Sequence, residues 1–231
     1  MNSTPATGHD GSQRHAEIRR SARLHFDKWA LGYDRSWLNE LVFFPAIRAC
    51  QEEITRWQKP RGQRPFRLLD VGCGTGTLLM RLARRPDAEL LVGLDYSPVM
   101  ARHLTEKIAG SPQAGKLQVV VADSEHLPFA DESFDVITCC NSFHHYPHQA
   151  AVLSGFRRVL RPGGVLVLVD GFRDNVIGWL VFDVAVALVE KAVHHAPWSN
   201  VRDQILAGGF SGLQQRKLNV LAPLLVSVAL H

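Results

Sequence analysis

The sequence predicts an α/β fold: a doubly wound, seven-stranded sheet, mostly parallel with an antiparallel C-terminal hairpin, preceded by an N-terminal helical cover. Three observations carry this. From residue 67 onward, short apolar runs alternate with stretches of helical periodicity, the pattern of a parallel sheet wrapped by helices. A glycine-rich turn, Gly72-Cys73-Gly74-Thr75-Gly76, directly follows the first of those runs. Near the end the alternation stops, and two strand-like runs are separated only by a short turn around Pro223, as in a hairpin.

At 231 residues the chain suits one large domain with an accessory segment. With 46% hydrophobic and 21% charged residues, collagen-like, wholly disordered and coiled-coil classes are excluded. The net charge of +4 is uneven: residues 1–66 hold 11 Lys and Arg against 7 Asp and Glu, the remainder 15 against 15. The larger part of the chain is therefore balanced, which argues against a nucleic-acid partner. Cys50, Cys73, Cys139 and Cys140 form neither a CxxC pair nor a disulfide framework, as expected of a reducing, cytoplasmic setting.

Residues 1–20 are polar and aperiodic, the composition of a disordered tail, without the apolar core of a secretory signal. Asp10 and Glu17 count against an organellar transit peptide. From residue 21 to 58, apolar residues such as Leu24, Trp29, Tyr33, Leu41, Phe44 and Ile47 recur at helical steps and predict two or three amphipathic helices. Lys, Arg, Pro and Gly then cluster over 58–65, placing a boundary near residue 62. The cover is thus 21–62 and the main domain 63–231.

Within that domain, parallel strands are expected at 67–71, 90–94, 117–121, 134–139 and 165–169, with helices at 78–84, 98–108 and 149–160 and a Pro-Gly-Gly turn at 162–164. The closing hairpin is placed at 213–220 and 224–230. A helical insertion near 172–200 holds the longest apolar stretch, 176–189. It is interrupted by Asp183 and is shorter than the ~20 residues of a membrane span. It reads as a lid or core helix, or as a wall against a lipophilic substrate or a membrane surface.

The chemistry concentrates at Leu68-Leu69-Asp70-Val71-Gly72-Cys73-Gly74-Thr75-Gly76. Glycine tolerates positive φ and lets backbone amides approach a ligand with no Cβ between. Asp95 stands at the end of the next strand, where a carboxylate can accept both hydroxyls of a ribose. The Gly-x-Gly-x-Gly spacing differs from the Gly-x-Gly-x-x-Gly that seats a dinucleotide pyrophosphate. Asp70 would repel a pyrophosphate and attract a cationic ligand.

On these residues the sequence resembles the class I S-adenosylmethionine-dependent methyltransferases, which have a Rossmann-like fold, and more narrowly the ubiquinone and menaquinone biosynthesis C-methyltransferases. The resemblance runs in motifs from about Phe26 to Val169, including Val121-Ala122-Asp123-Ser124-Glu125, Ser133-Phe134-Asp135-Val136-Ile137 and Val159-Leu160-Arg161-Pro162-Gly163-Gly164-Val165. It implies S-adenosyl-L-methionine as cofactor, S-adenosyl-L-homocysteine as product and a small-molecule acceptor. It assigns Asp70, Gly72, Cys73, Gly74 and Gly76 to the methionyl part, Asp95 to the ribose, and Tyr96, Ser97 and Met100 to the surroundings of ribose and adenine. Asp123 would accept from the adenine amino group, with the Ser124 amide against the ring and Asn141 along the methionine arm. Tyr33 falls on the covering helix, where it either hydrogen-bonds the methionyl carboxylate or simply packs.

Methyl transfer from a sulfonium needs alignment more than a protein nucleophile. A base helps when the acceptor must lose a proton, and histidine suits that task. His144 and His145, just after the fourth strand, are the candidates, against the alternative that both are surface or capping residues. No metal site is expected, because adjacent histidines tend to point apart. The segment 172–200 is where the acceptor should be chosen, and its Val, Leu, Phe and Trp content suits an aromatic or lipophilic molecule. A nicotinamide-dependent oxidoreductase and a catalytically silent methyltransferase-like subunit are the competing readings; the oligomeric state is left open.

Overall fold

A computed structural model describes residues 43–171, 198–218 and 224–231. The expected tail, the first part of the cover with Tyr33, most of the insertion and the hairpin turn lie outside the described residues. The strands are β1 (Phe66–Val71), β2 (Ala88–Asp95), β3 (Leu117–Val121), β4 (Phe134–Cys140), β5 (Leu160–Gly171), β6 (Ser211–Leu218) and β7 (Leu224–Leu230). The helices are α1 (Phe44–Gln58), α2 (Thr77–Leu82), α3 (Pro98–Ala109), α4 (Gln149–Val159) and α5 (Trp198–Ala207). They build a seven-stranded sheet in the order β3-β2-β1-β4-β5-β7-β6, parallel through β5 and antiparallel at β5–β7 and β7–β6.

β1 sits in the middle, and its near-continuous apolar run follows from burial on both faces. Side chains alternate across the sheet. Leu69, Val71, Ile137 and Leu168 join a core with Val152 and Phe156 of α4 and Ile205 of α5. Leu68, Val136, Val165 and Val167 join another with Ala46, Cys50 and Ile54 of α1 and Leu78, Leu79 and Leu82 of α2. The part of the expected cover at 44–58 is therefore packed into the sheet's own core. Its buried Glu53 receives a hydrogen bond from Arg216 of β6 (Nε–Oε1 3.0 Å). Trp57 donates to the Gly163 carbonyl (3.3 Å).

Two elements differ from expectation. β5 begins at Leu160, which pairs with Phe134, and pairing resumes between Val165 and Val136. The expected Pro-Gly-Gly turn is thus a bulge inside the strand: Pro162 has no amide for the ladder, and Gly163 adopts φ +74°. The helix α5 was not anticipated beyond residue 200; it buries Val201 and Ile205, one turn apart.

The order of strands reverses between β1 and β4, each of which leads in an opposite direction across the sheet, and ligands of such sheets bind beyond the strand ends at this point. The glycine turn leaves β1 here and the histidine segment leaves β4. Gly76 starts α2 with φ +77°, and a Cβ there would lie 2.2 Å from Leu104 Cδ1 of α3. Gly76→Ala is expected to lower stability by about 1–3 kcal/mol through backbone strain and overpacking, read as a lower urea midpoint at unchanged slope.

Candidate functional site

The turn after β1 folds back over the end of β2. Gly72 and Cys73 amides donate to the Leu94 carbonyl (2.8 and 3.1 Å), and the Gly74 amide donates to Asp95 Oδ2 (2.8 Å). Asp95 Oδ1 accepts from the Ser97 amide (2.9 Å). The Ser97 hydroxyl in turn accepts from the Met100 amide (3.1 Å), capping α3. Gly74, Asp95, Ser97 and Met100 thus form one hydrogen-bonded chain that fixes the plane of the Asp95 carboxylate. Glycine is required at Gly72, where φ is +73° and a Cβ would lie 2.4 Å from Ser142 Oγ. At Gly74 φ is +53° and nothing lies within 4 Å of a Cβ position, so the backbone borders open space.

Two clefts flank this turn and meet at Gly72, Gly74 and Cys140. The first is bordered by Asp95, Tyr96, Ser97, Met100, Asp123, Ser124, Glu125, Asn141, Ser142, His145 and Tyr146. The second is bordered by Phe44, Asp70, Cys73, Thr75, Arg81 and Lys107. Their volumes, about 110 Å³ and 240 Å³, each fall short of the ~300–1,000 Å³ of small-molecule sites, so an elongated ligand would have to occupy both. Among the described residues the first cleft carries three carboxylates, Asp95, Asp123 and Glu125, and no Lys or Arg. The second has charges of both signs.

Most of the residues expected to meet a cofactor are therefore brought together. Cys73 and Asp70 border only the second cleft, and Gly76 borders neither; its contact with Leu104 gives it a packing role. Asn141 adopts φ +52° as the chain turns out of β4. Asp123 Oδ1 accepts from the Glu125 amide (2.9 Å). Ser142, Tyr146 and Glu125 were missed in the sequence. The Ser142 hydroxyl donates to the Val71 carbonyl (3.0 Å) and lies 3.0 Å from the Tyr146 hydroxyl, so it ties the two loops together.

The two histidines do not point apart. Their ring centroids are 3.9 Å apart, because both sit on one tight turn, Phe143–His145. His145 borders the first cleft. His144 turns to Asp170 at the end of β5, with Nδ1 2.5 Å from Oδ1. No cluster of three or more metal-ligating side chains occurs among the described residues.

Asp70 is 3% exposed and accepts a hydrogen bond from Thr138 Oγ1 (2.7 Å). Burial pushes its carboxyl up to about 7; the Thr138 hydrogen bond opposes the shift and the Asp95 charge adds to it. Between the ordinary carboxylate range and pH 7 the native protein holds a proton that the unfolded chain releases, so stability falls as pH rises through that window. Asp70→Asn removes the desolvated charge. It is expected to raise the melting temperature at pH 8 by several degrees, at about 2–4 °C per kcal/mol, with the gain vanishing by pH ~4; calorimetry at both pH values checks this.

Comparison with known proteins agrees with this geometry. Residues 69–168 match the family model described as a methyltransferase domain. The chain is similar to the ubiquinone/menaquinone biosynthesis C-methyltransferase UbiE of Geobacter sulfurreducens, 34% identical over 149 residues, 63% of this chain and 56% of the relative. It is also similar to the demethylmenaquinone methyltransferase of Desulfitobacterium hafniense, 32% identical over 172 residues, 72% of this chain and 66% of the relative. The chain thus spans 56% and 66% of these two relatives' length. Among solved structures, a SAM-dependent methyltransferase from Thermotoga maritima superposes with a TM-score of 0.69 at 17% identity, over 89% of this chain and 98% of that one. The [4+2]-cyclase SpnF superposes at 0.63 and 18% identity, over 72% and 74%; at such identities the likeness is one of fold. With the strand order and the glycine turn in place, residues 69–168, from β1 into β5, form a methyltransferase domain with the fold of the S-adenosylmethionine-dependent methyltransferases.

Proposed function

We propose that this protein transfers a methyl group from S-adenosylmethionine to a small acceptor. The observation that carries the reading is the charge of the crevice at the β1–β4 reversal. Carboxylates border both clefts, and among the described residues no Lys or Arg borders the first. A dinucleotide pyrophosphate would meet repulsion there, whereas a sulfonium cation carrying a nucleoside is matched to it. Gly74 offers a backbone surface without a Cβ in the way, which fits close passage of such a ligand.

In this reading Asp95 holds the ribose beside Tyr96, Ser97 and Met100, while Asp123 and Ser124 hold the adenine. Asp70, Gly72, Cys73 and Gly74 face the methionyl part, with Asn141 along its arm. The mixed charges of Asp70, Arg81 and Lys107 suit a zwitterionic amino acid. The bound cofactor supplies an activated methyl group on a good leaving group. The chain's own work is then to align the acceptor, exclude water and, where needed, hold a proton at His144 or His145.

The acceptor in this proposal is aromatic or lipophilic and of the quinone type, with methylation at carbon. Support comes from the relatives named for ubiquinone and menaquinone biosynthesis. No described helix is long and apolar enough to cross a membrane. All four cysteines carry free thiols, in keeping with a reducing, cytoplasmic setting.

Titration calorimetry with S-adenosylhomocysteine and with NADH tests the reading: the first is expected to bind and the second not. Binding of NADH alone would overturn it. Asp95→Ala is expected to weaken S-adenosylhomocysteine by at least ~10-fold, since hydrogen bonds to a charged group contribute about 1.5–3 kcal/mol. Unchanged affinity would remove Asp95 from the ribose.

A further inference from the structure

The second cleft carries cations that the first lacks. Among the described residues its single carboxylate is Asp70, and its cations are Arg81 of α2 and Lys107 of α3. Leu78, Leu79 and Leu82 form the buried face of α2. Thr77 and Arg81, four residues apart and so on one face, border the cleft. Helical side chains lean toward the helix N-terminus, so Arg81 reaches back over Thr77 toward the glycine turn. Its guanidinium carbon lies 4.9 Å from the centroid of the Phe44 ring at the start of α1. A ring holds a guanidinium through its face and takes none of its five N–H donors. Lys107 is engaged differently: its Nζ donates to the Thr75 carbonyl (3.1 Å) and so ties α3 to the turn. One cation supports the turn, and the other is oriented by an apolar ring at the border of the cleft.

The two clefts meet at Gly72, Gly74 and Cys140, so a nucleoside seated by Asp95 and Asp123 extends its arm past Gly74 into the second. We propose that Arg81 receives the α-carboxylate of that arm and makes the chain selective for nucleosides that end in a complete amino acid. The inference rests on the methyl-transfer reading above and adds to it a binding residue and a requirement on the ligand. The arm ends in an ammonium and a carboxylate on one carbon. The ammonium is matched to Asp70. The carboxylate, repelled by Asp70 and Asp95, is matched to the guanidinium, whose planar fork donates two parallel hydrogen bonds to such a group. A nucleoside with only an amine on its arm satisfies Asp70 and leaves the guanidinium unmatched. Arg81 takes no part in the transfer of the methyl group; its contribution is to fix the far end of the cofactor.

Titration calorimetry on the full chain with three thioether nucleosides tests this. S-adenosylhomocysteine carries the whole amino acid, its decarboxylated analogue keeps the amine alone, and 5′-methylthioadenosine has neither. None is a sulfonium, so charge at sulfur does not enter the comparison. The wild-type protein is expected to bind S-adenosylhomocysteine ~10–100-fold tighter than the decarboxylated analogue, as a charge-assisted bidentate pair allows. Arg81→Met keeps a good helix former at the position. It is expected to erase that preference, weakening S-adenosylhomocysteine by ~10–100-fold while the other two ligands change by less than ~2-fold. Retained 5′-methylthioadenosine binding then reports an intact fold. Arg81→Lys, which keeps the charge and loses the fork, is expected to show the same selectivity with a smaller loss, ~3–10-fold. Lys107→Met is expected to weaken all three ligands alike, because they share the turn it supports. Equal loss of all three ligands in Arg81→Met, unaltered S-adenosylhomocysteine binding in it, or selective loss of S-adenosylhomocysteine in Lys107→Met would overturn the proposal. Wild-type protein that binds S-adenosylhomocysteine no tighter than the decarboxylated analogue would overturn this inference alone, whereas failure to bind S-adenosylhomocysteine at all would remove the methyl-transfer reading itself.

Discussion

The close approach of Gly72 to Ser142 holds the two halves of the site together. The Ser142 hydroxyl occupies the space that a side chain at position 72 would need and donates to the carbonyl of Val71. The loop leaving β1 is thereby locked to the loop leaving β4, across the line where strand order reverses. From that lock follow the height of Gly74 above the strand ends and, through its amide, the orientation of Asp95. The histidine turn, which begins one residue after Ser142, inherits its position from the same contact. A methyl substituent at Gly72 would disturb a loop, an acid and two histidines at once.

The site is assembled against a thermodynamic gradient. Asp70 is an acid on a central strand, desolvated and facing the charge of Asp95, with one hydroxyl as its named hydrogen-bond donor. Such a residue weakens the fold at neutral pH, and its retention at the mouth of a cleft makes sense if a cationic ligand restores what solvent once supplied. Asp95 solves a related difficulty differently, by drawing two backbone amides onto its oxygens. The two carboxylates therefore differ in kind: one is settled before any ligand arrives, the other is not.

Much of this was legible in the sequence because the signals were periodic or steric. Alternating apolar runs and helices identified five strands, two runs about a short turn near Pro223 identified the other two, and the glycines with Asp70 and Asp95 located the crevice. What escaped notice depended on contacts between distant segments. Asp170 closes an apolar run as an ordinary strand end would, and only the pairing of β5 with β4 brings it to His144. Ser142 and Tyr146 look like unremarkable loop residues until Val71 is set against them. The family resemblance groups Gly76 with its neighbours at the cofactor, whereas Leu104 of a helix nearly thirty residues away is what requires it to be small. The Pro-Gly-Gly segment was recognised as a break, but its location inside β5 is a matter of register, which one strand's sequence does not contain.

The far edge of the sheet has its own consequence. β6 is the terminal strand; its pairing with β7 skips register between Ser211 and Gln214, and Arg216 and Lys217 lie along it. The local twist of that irregularity spoils the flat ribbon onto which a stranger's backbone would zip, while the Arg216 charge is turned onto Glu53 of α1. A further strand added at that edge would meet a broken ladder between Ser211 and Gln214.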